Sequence, residues 1–128
     1  MGQIHFVLVV DDDPEVRDAL AAVLKGPGFH VFTAADAFEA VRVLAERAIN
    51  VMIIDVRMPA MSGFELARQA MLMRPYIRMI FMTGFPEEGD APVNSAFLLK
   101  PFRPDELMHA LHRELEIAPL ANRRTFPS

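Results

Sequence analysis

The sequence has no cysteine among its 128 residues. That excludes disulfides, thiolate nucleophiles and zinc–cysteine sites. It has no basic excess either: 13 Lys and Arg stand against 17 Asp and Glu, for a net charge of −4. Nucleic acid is therefore not expected as a direct partner, because no surplus cation is left to neutralise phosphates. No apolar run approaches the length that spans a bilayer, and the N-terminus is not laid out as a signal peptide. Membrane insertion is not expected, and the expected compartment is the cytoplasm. Internal repeats and low-complexity segments are missing too. What remains is a chain 52% hydrophobic and 23% charged, the composition of a compact globular domain, with enough residues for one core and not for two.

The most informative stretch is 51–59, V-M-I-I-D-V-R-M-P. Four apolar residues run into a single acid, Asp55. A run of this kind, bounded by Asn50 and Pro59, reads as a strand buried on both faces. An acid in its last position lies at the carboxyl edge of the sheet, where open α/β sheets place their ligands.

The rest of the chain alternates in the same way. Residues 5–10 (HFVLVV) suit a central strand and end in Asp11, Asp12 and Asp13. Asp13 is the expected cap of a helix opened by Pro14, with Val16, Ala19, Leu20, Val23 and Leu24 on its apolar face. Gly26-Pro27-Gly28 stops it. A shorter strand over 29–33 follows, then a helix capped by Asp36 with Ala37, Ala40, Val41, Leu44 and Ala45 inward. After the strand at 51–54 come a loop at 59–63, a helix at 64–73, and a strand at 77–82 followed by Thr83 and Gly84. A short strand at 96–99 leads to Lys100-Pro101-Phe102. Pro104 and Asp105 open a last helix with Leu107, Leu111 and Leu115 in line. Met71, Met73, Met79 and Met82 read as core filler. The domain is expected over 1–117, with a flexible tail over 118–128. Strands alternating with helices imply a parallel sheet covered on both sides by right-handed crossovers. Five strands in this length fit a flavodoxin-like doubly wound α/β fold with strand order 2-1-3-4-5.

That order gathers the strand ends. Asp11 and Asp12 follow the first strand, Asp55 the third, Thr83 the fourth and Lys100 the fifth. Three carboxylates so close repel one another and call for a cation. A hard divalent ion with oxygen ligands, Mg²⁺ above all, meets that need. A carboxylate on a rigid strand end can act as a nucleophile towards a phosphoryl group, and a metal, an ammonium and a hydroxyl can steady the charge being transferred.

This set of residues resembles the receiver domain of two-component response regulators. The matching motifs are V-V-D-D-D-P at 9–14, I-I-D-V-R-M-P-x-M-S-G at 53–63, M-T-G at 82–84 and F-L-L-K-P-F at 97–102. Each is weak alone; in this order they are specific, and they cover nearly the whole chain. The resemblance implies that Asp55 accepts a phosphoryl group from a sensor histidine kinase or a histidine phosphotransfer protein. It implies that Asp12 binds Mg²⁺ directly, Asp11 largely through water, and Asp55 and the backbone carbonyl of Arg57 complete the protein ligands. Thr83 and Lys100 would contact the phosphoryl group, Thr83 and Phe97 would form the switch, and the Lys100–Pro101 bond would often be cis. The protein would not be a turnover enzyme, beyond losing its own phosphoryl group. It would signal to a downstream protein target, and a homodimer is compatible with it.

Two features depart from the family pattern. Lys100 stands 17 positions after Thr83, several fewer than usual. The deficit falls where the family has its fourth helix, and Pro86 and Pro92 lie inside it. A shortened or missing fourth helix is expected, which alters the usual output and dimerisation face and the Thr83–Phe97 coupling. No output domain is expected after the last helix, so a single-domain regulator is the leading reading. Its alternatives are the receiver module of a hybrid histidine kinase, a phosphate sink, or a degenerate receiver that only binds. An aspartyl phosphatase would want a further acid at the position of Arg57. A flavodoxin-like cofactor binder would want a glycine- or hydroxyl-rich loop where the three acids stand.

Overall fold

A computed structural model describes residues 5–26, 28–84, 91–92 and 95–123, the last helix beyond residue 116 by its backbone alone. The elements run β1 (Phe6–Val10), α1 (Pro14–Lys25), β2 (His30–Ala34), α2 (Ala37–Glu46), β3 (Val51–Asp55), α3 (Gly63–Met73), β4 (Arg78–Thr83), β5 (Ala96–Leu99) and α4 (Pro104–Arg123). All strand pairs are parallel, in the order β2-β1-β3-β4-β5, the doubly wound α/β arrangement expected.

Period-two alternation explains how one sheet serves two cores. Val7 and Val9, Val51 and Ile53, and Ile80 and Met82 point to one face, where Leu20 and Leu24 of α1 and Leu107 and Leu111 of α4 meet them. Leu8 and Val10, Met52 and Ile54, and Met79 and Phe81 point to the other, against Ala40 and Leu44 of α2 and Leu66, Ala67 and Ala70 of α3. The central strands are therefore apolar at every interior position. On α1 and α2 the buried stripe is narrower than the sequence pattern suggested. Ala21 is covered while Ala19 and Ala45 are exposed, since a helix rolls to bury its leucines and a methyl group adds little. Met79 and Met82 are core; Met71 is half-buried, and Met73 is exposed on the last turn of α3.

Caps fix the helix starts. The side chains of Asp13 and Asp36 accept hydrogen bonds from the amides of Glu15 and Glu39. The third helix begins at Gly63, one residue earlier than expected, because Ser62 and Glu65 form a reciprocal capping box. The backbone of α4 continues to Arg123, past the point at residue 118 where a tail was expected. Proline inside a helix loses one hydrogen bond and crowds the carbonyl four residues back, yet the helical backbone runs through Pro119, with helix-favouring Ala118, Leu120 and Ala121 around it. Residues 124–128 lie outside the described ones.

Among the described residues no helix lies between β4 and β5, in line with the short spacing from Thr83 to Lys100. Phe85, Pro86 and most of that connection lie outside the described residues. No described helix is long and apolar enough to cross a membrane.

Candidate functional site

Parallel strands deliver their last residues to one edge, and the register sets which residues meet there. Asp11 follows β1, and its amide donates to the carbonyl of Ala34 at the end of β2. Asp55 closes β3 opposite Met82, and Thr83 closes β4 opposite Leu99. Lys100 follows β5 and is anchored by its amide, which donates to the Thr83 carbonyl at 2.8 Å. The Lys100–Pro101 peptide bond is cis.

Asp11, Asp12 and Asp55 bring one carboxylate oxygen each to within 4.8 Å of one another. Lys100 spans two of them, its Nζ 3.5 Å from Asp11 Oδ2 and 3.4 Å from Asp55 Oδ2. Both contacts are long for charge-assisted hydrogen bonds, as befits one ammonium divided between two acids. Asp11 is almost wholly buried and Asp12 exposed. The remaining Asp11 oxygen, Oδ1, accepts from the Asp13 amide at 2.9 Å. Asp55 Oδ1 accepts from the Arg57 amide at 3.1 Å.

Burial pushes the Asp11 carboxyl above its ordinary value, and the neighbouring Asp55 charge adds to the rise. The Asp13 amide and Lys100 oppose it without reversing it. Burial alone would lower Lys100, but Asp11 and Asp55 together raise it, so the ammonium stays charged. Three acids against one cation leave the cluster short of positive charge. Its donors are all hard oxygens, the set that suits Mg²⁺ or a similar divalent ion. On that chemistry the residues fit such an ion.

The chain between Asp55 and α3 explains how the acid is held. The Val56 amide donates to the Met82 carbonyl, and the Gly63 amide donates back to the Val56 carbonyl at 2.8 Å. Gly63 thus lies directly under the acid. A Cβ there would overlap the Asp55 carbonyl oxygen, so only glycine permits the approach. Ala60, within the same loop, holds a positive φ of 72°, a conformation that costs a non-glycine residue free energy.

The site residues expected from sequence are brought together with two qualifications. Thr83 is buried at the edge of the cluster. Phe97 stands opposite Phe81, two rungs back from Thr83. It is 40% exposed and packs on Phe81 and Phe64 with ring centroids at 5.6 and 6.2 Å. Asp13 caps α1, as its position before Pro14 implied. Residues that sequence reading passed over are Gly63, Ser62 and Arg17, whose Nη1 donates to the Asp11 carbonyl at 2.8 Å. The pattern S-x-x-E at 62–65 signalled the capping role of Ser62, and Gly63 stood in the motif at 53–63 without a role assigned to it; nothing local signalled Arg17.

Comparison with known proteins gives a consistent result. The family model described as the response regulator receiver domain matches residues 7–112. The chain is 32% identical over 114 residues to the response regulator receiver protein CpdR of Brucella abortus, covering 85% of this chain and 95% of that protein. It is 33% identical to the response regulator protein TmoT of Ectopseudomonas mendocina, but spans only 56% of it, so the chain covers about half the length of that relative. Among solved structures, the chemotaxis protein CheY4 of Vibrio cholerae superposes with a TM-score of 0.81 at 30% identity, over 87% of this chain and 98% of that one. The receiver domain of the hybrid histidine kinase CckA superposes with a TM-score of 0.77 at 29% identity, over 86% and 98%.

Proposed function

The chain belongs to the family of response regulator receiver domains, the phospho-accepting signalling modules of two-component systems, and from that premise we propose that Asp55 is its phosphoryl acceptor. The observation that carries this is the strand-end cluster: three carboxylates converging within 4.8 Å and a single ammonium reaching two of them.

Receiver domains typically bind Mg²⁺ at such an acidic pocket. In this chain Asp11, Asp12, Asp55 and the carbonyl of Arg57 would hold it, and when bound it would neutralise the acids and the incoming phosphoryl oxygens. An oxygen of Asp55 attacks phosphorus in line, a new O–P bond forms, and the P–N bond to the donor imidazole breaks. The imidazole leaves with the electron pair and takes up a proton from solvent. The Arg57 amide, on Asp55 Oδ1, fixes the orientation of the carboxylate for this attack. Lys100 exchanges its long contacts with Asp11 and Asp55 for a phosphoryl oxygen, and the Thr83 hydroxyl turns to another. The acyl phosphate adds charge and strong acceptor oxygens, and the shift of Thr83 and Lys100 reaches the surface through Phe97.

The donor is a sensor histidine kinase or a phosphotransfer protein, and the output is a downstream protein rather than nucleic acid. The protein acts in the cytoplasm and loses its phosphoryl group by its own hydrolysis. The test is phosphoryl uptake from acetyl phosphate with Mg²⁺, read by mass spectrometry of the intact protein. Wild type gains one phosphoryl group, and Asp55→Asn gains none while remaining folded. Uptake by Asp55→Asn at the wild-type rate would overturn the assignment.

A further inference from the structure

Asp11 is almost wholly buried, and each of its polar groups has a partner. Its amide goes to Ala34, Oδ1 to the Asp13 amide, Oδ2 to Lys100, and its carbonyl to Arg17 Nη1 at 2.8 Å. Three of these partners lie at strand ends or in the acid turn. Arg17 comes from elsewhere, the close of the first turn of α1. The Arg17 amide also donates to the Asp13 carbonyl at 3.0 Å as part of that helix. One residue therefore grips the turn at both ends, Asp11 by its side chain and Asp13 by its backbone.

Asp12 lies between those two held residues. It is exposed, yet its carboxylate lies within 4.8 Å of those of Asp11 and Asp55. An exposed acid beside two others is pushed outward by their charge, so something must hold its backbone in place. We propose that Arg17 is a positioning residue for the cation site. By clamping the Asp11 carbonyl it fixes the 11–13 turn, so that Asp12 faces the ion. This rests on the reading of the acid cluster as a Mg²⁺ site.

Arg17 has two rival roles, and they differ in sign. If it were only one more positive charge near the cluster, removing it would tighten Mg²⁺ binding by relieving repulsion of the ion. If it only satisfied a buried carbonyl, its loss would lower stability and leave the affinity of the folded protein unchanged. A positioning role weakens Mg²⁺ binding, since removing residues that orient ligands from behind typically costs roughly 10-fold or more in metal affinity.

The experiment is Mg²⁺ titration of the full chain, by calorimetry and by amide shifts of residues 11–13 and 55, with the Mg²⁺-free thermal midpoint recorded for each variant. Arg17→Ala is expected to raise the Mg²⁺ Kd roughly 10-fold. Arg17→Lys keeps charge and one donor, Arg17→Gln keeps a donor without charge, and both are expected to recover most of the loss. Should Arg17→Ala fail to fold, Arg17→Gln against Arg17→Lys still separates charge from positioning, since a pure charge effect makes Gln bind tighter than wild type. An unchanged or lower Kd in Arg17→Ala, or a Kd below wild type in Arg17→Gln, overturns the proposal while the metal site stands. Absence of Mg²⁺ binding in wild type overturns the metal site itself.

Discussion

The two ends of the sheet hold charge in opposite ways. At the amino end, Arg78 opens β4 and meets Glu114 of α4 at 3.1 Å, with side chains only 6% and 9% exposed. It is one cation with one anion, closed off from water. Nearby, the Asn50 side chain accepts from the Phe6 amide, and Arg74 closes the end of α2 by donating to the carbonyls of Leu44 and Arg47. Donors and acceptors are matched. At the carboxyl end three acids share one lysine at 3.4 and 3.5 Å. The contacts are longer and the charges do not balance. The first end is balanced within the chain; the second carries an excess of negative charge. Both are built on the same strands, so the contrast comes from what the chain places at each strand terminus and not from the fold.

That contrast can be broken from the amino end. Glu114→Ala leaves the Arg78 guanidinium buried without its anion and is expected to cost about 3–5 kcal/mol, measured by urea denaturation. The paired change Arg78→Met with Glu114→Leu is expected to recover most of this or exceed wild type, because a well-packed apolar pair avoids desolvating two ions. Mg²⁺ affinity should not change in either folded variant. If it does, the two ends are coupled and the comparison fails.

A smaller effect is expected beneath the acids. Gly63→Ala forces a methyl against the Asp55 carbonyl, and such overpacking costs about 1–3 kcal/mol. Here the displaced atoms carry Asp55, so phosphoryl uptake should slow by more than the lost stability explains. Comparing uptake rates at matched folded fraction checks this.

The smallest effect concerns protons. Asp11 has its carboxyl raised above 3.8 by burial and by Asp55. The folded state therefore holds this proton to higher pH than the unfolded chain does. Stability from this group is present below 3.8 and declines as pH rises through the raised value. Denaturation midpoints of wild type and Asp11→Asn across that window should diverge, wild type falling relative to the variant. Saturating Mg²⁺ should flatten the difference, since an ion bound only by the folded state adds stability by mass action.

The carboxyl end was legible in the sequence because its residues are improbable where they stand. Acids and a lysine directly after buried apolar runs mark strand ends, and strand alternation with helices fixes which ends are neighbours. The amino end was not legible. Arg78 and Glu114 are separated by 36 positions, and each sits in a segment whose pattern is otherwise unremarked. Arg17 falls in the same class: on a helix surface it reads as solvated, and only the turn it folds back upon reveals a target. Ser62 and Gly63 are a middle case, since the capping pattern was present but the loop at 59–63 masked the helix start. The expectation of a tail from residue 118 missed the end of α4, whose backbone runs on through Pro119.

The switch role proposed for Phe97 would make the response of the carboxyl end adjustable. Its ring is already 40% exposed, so swinging it outward forfeits only the remaining burial, about 1–2 kcal/mol. Phe64 and Phe81 stay packed on each other at 4.8 Å either way. In the switch proposed above the ring would have a second, outward position, and each 1.4 kcal/mol between the two would change their occupancy ratio about tenfold. Under that proposal, altering one neighbour of the ring would reset the resting population without touching a single residue of the acid cluster.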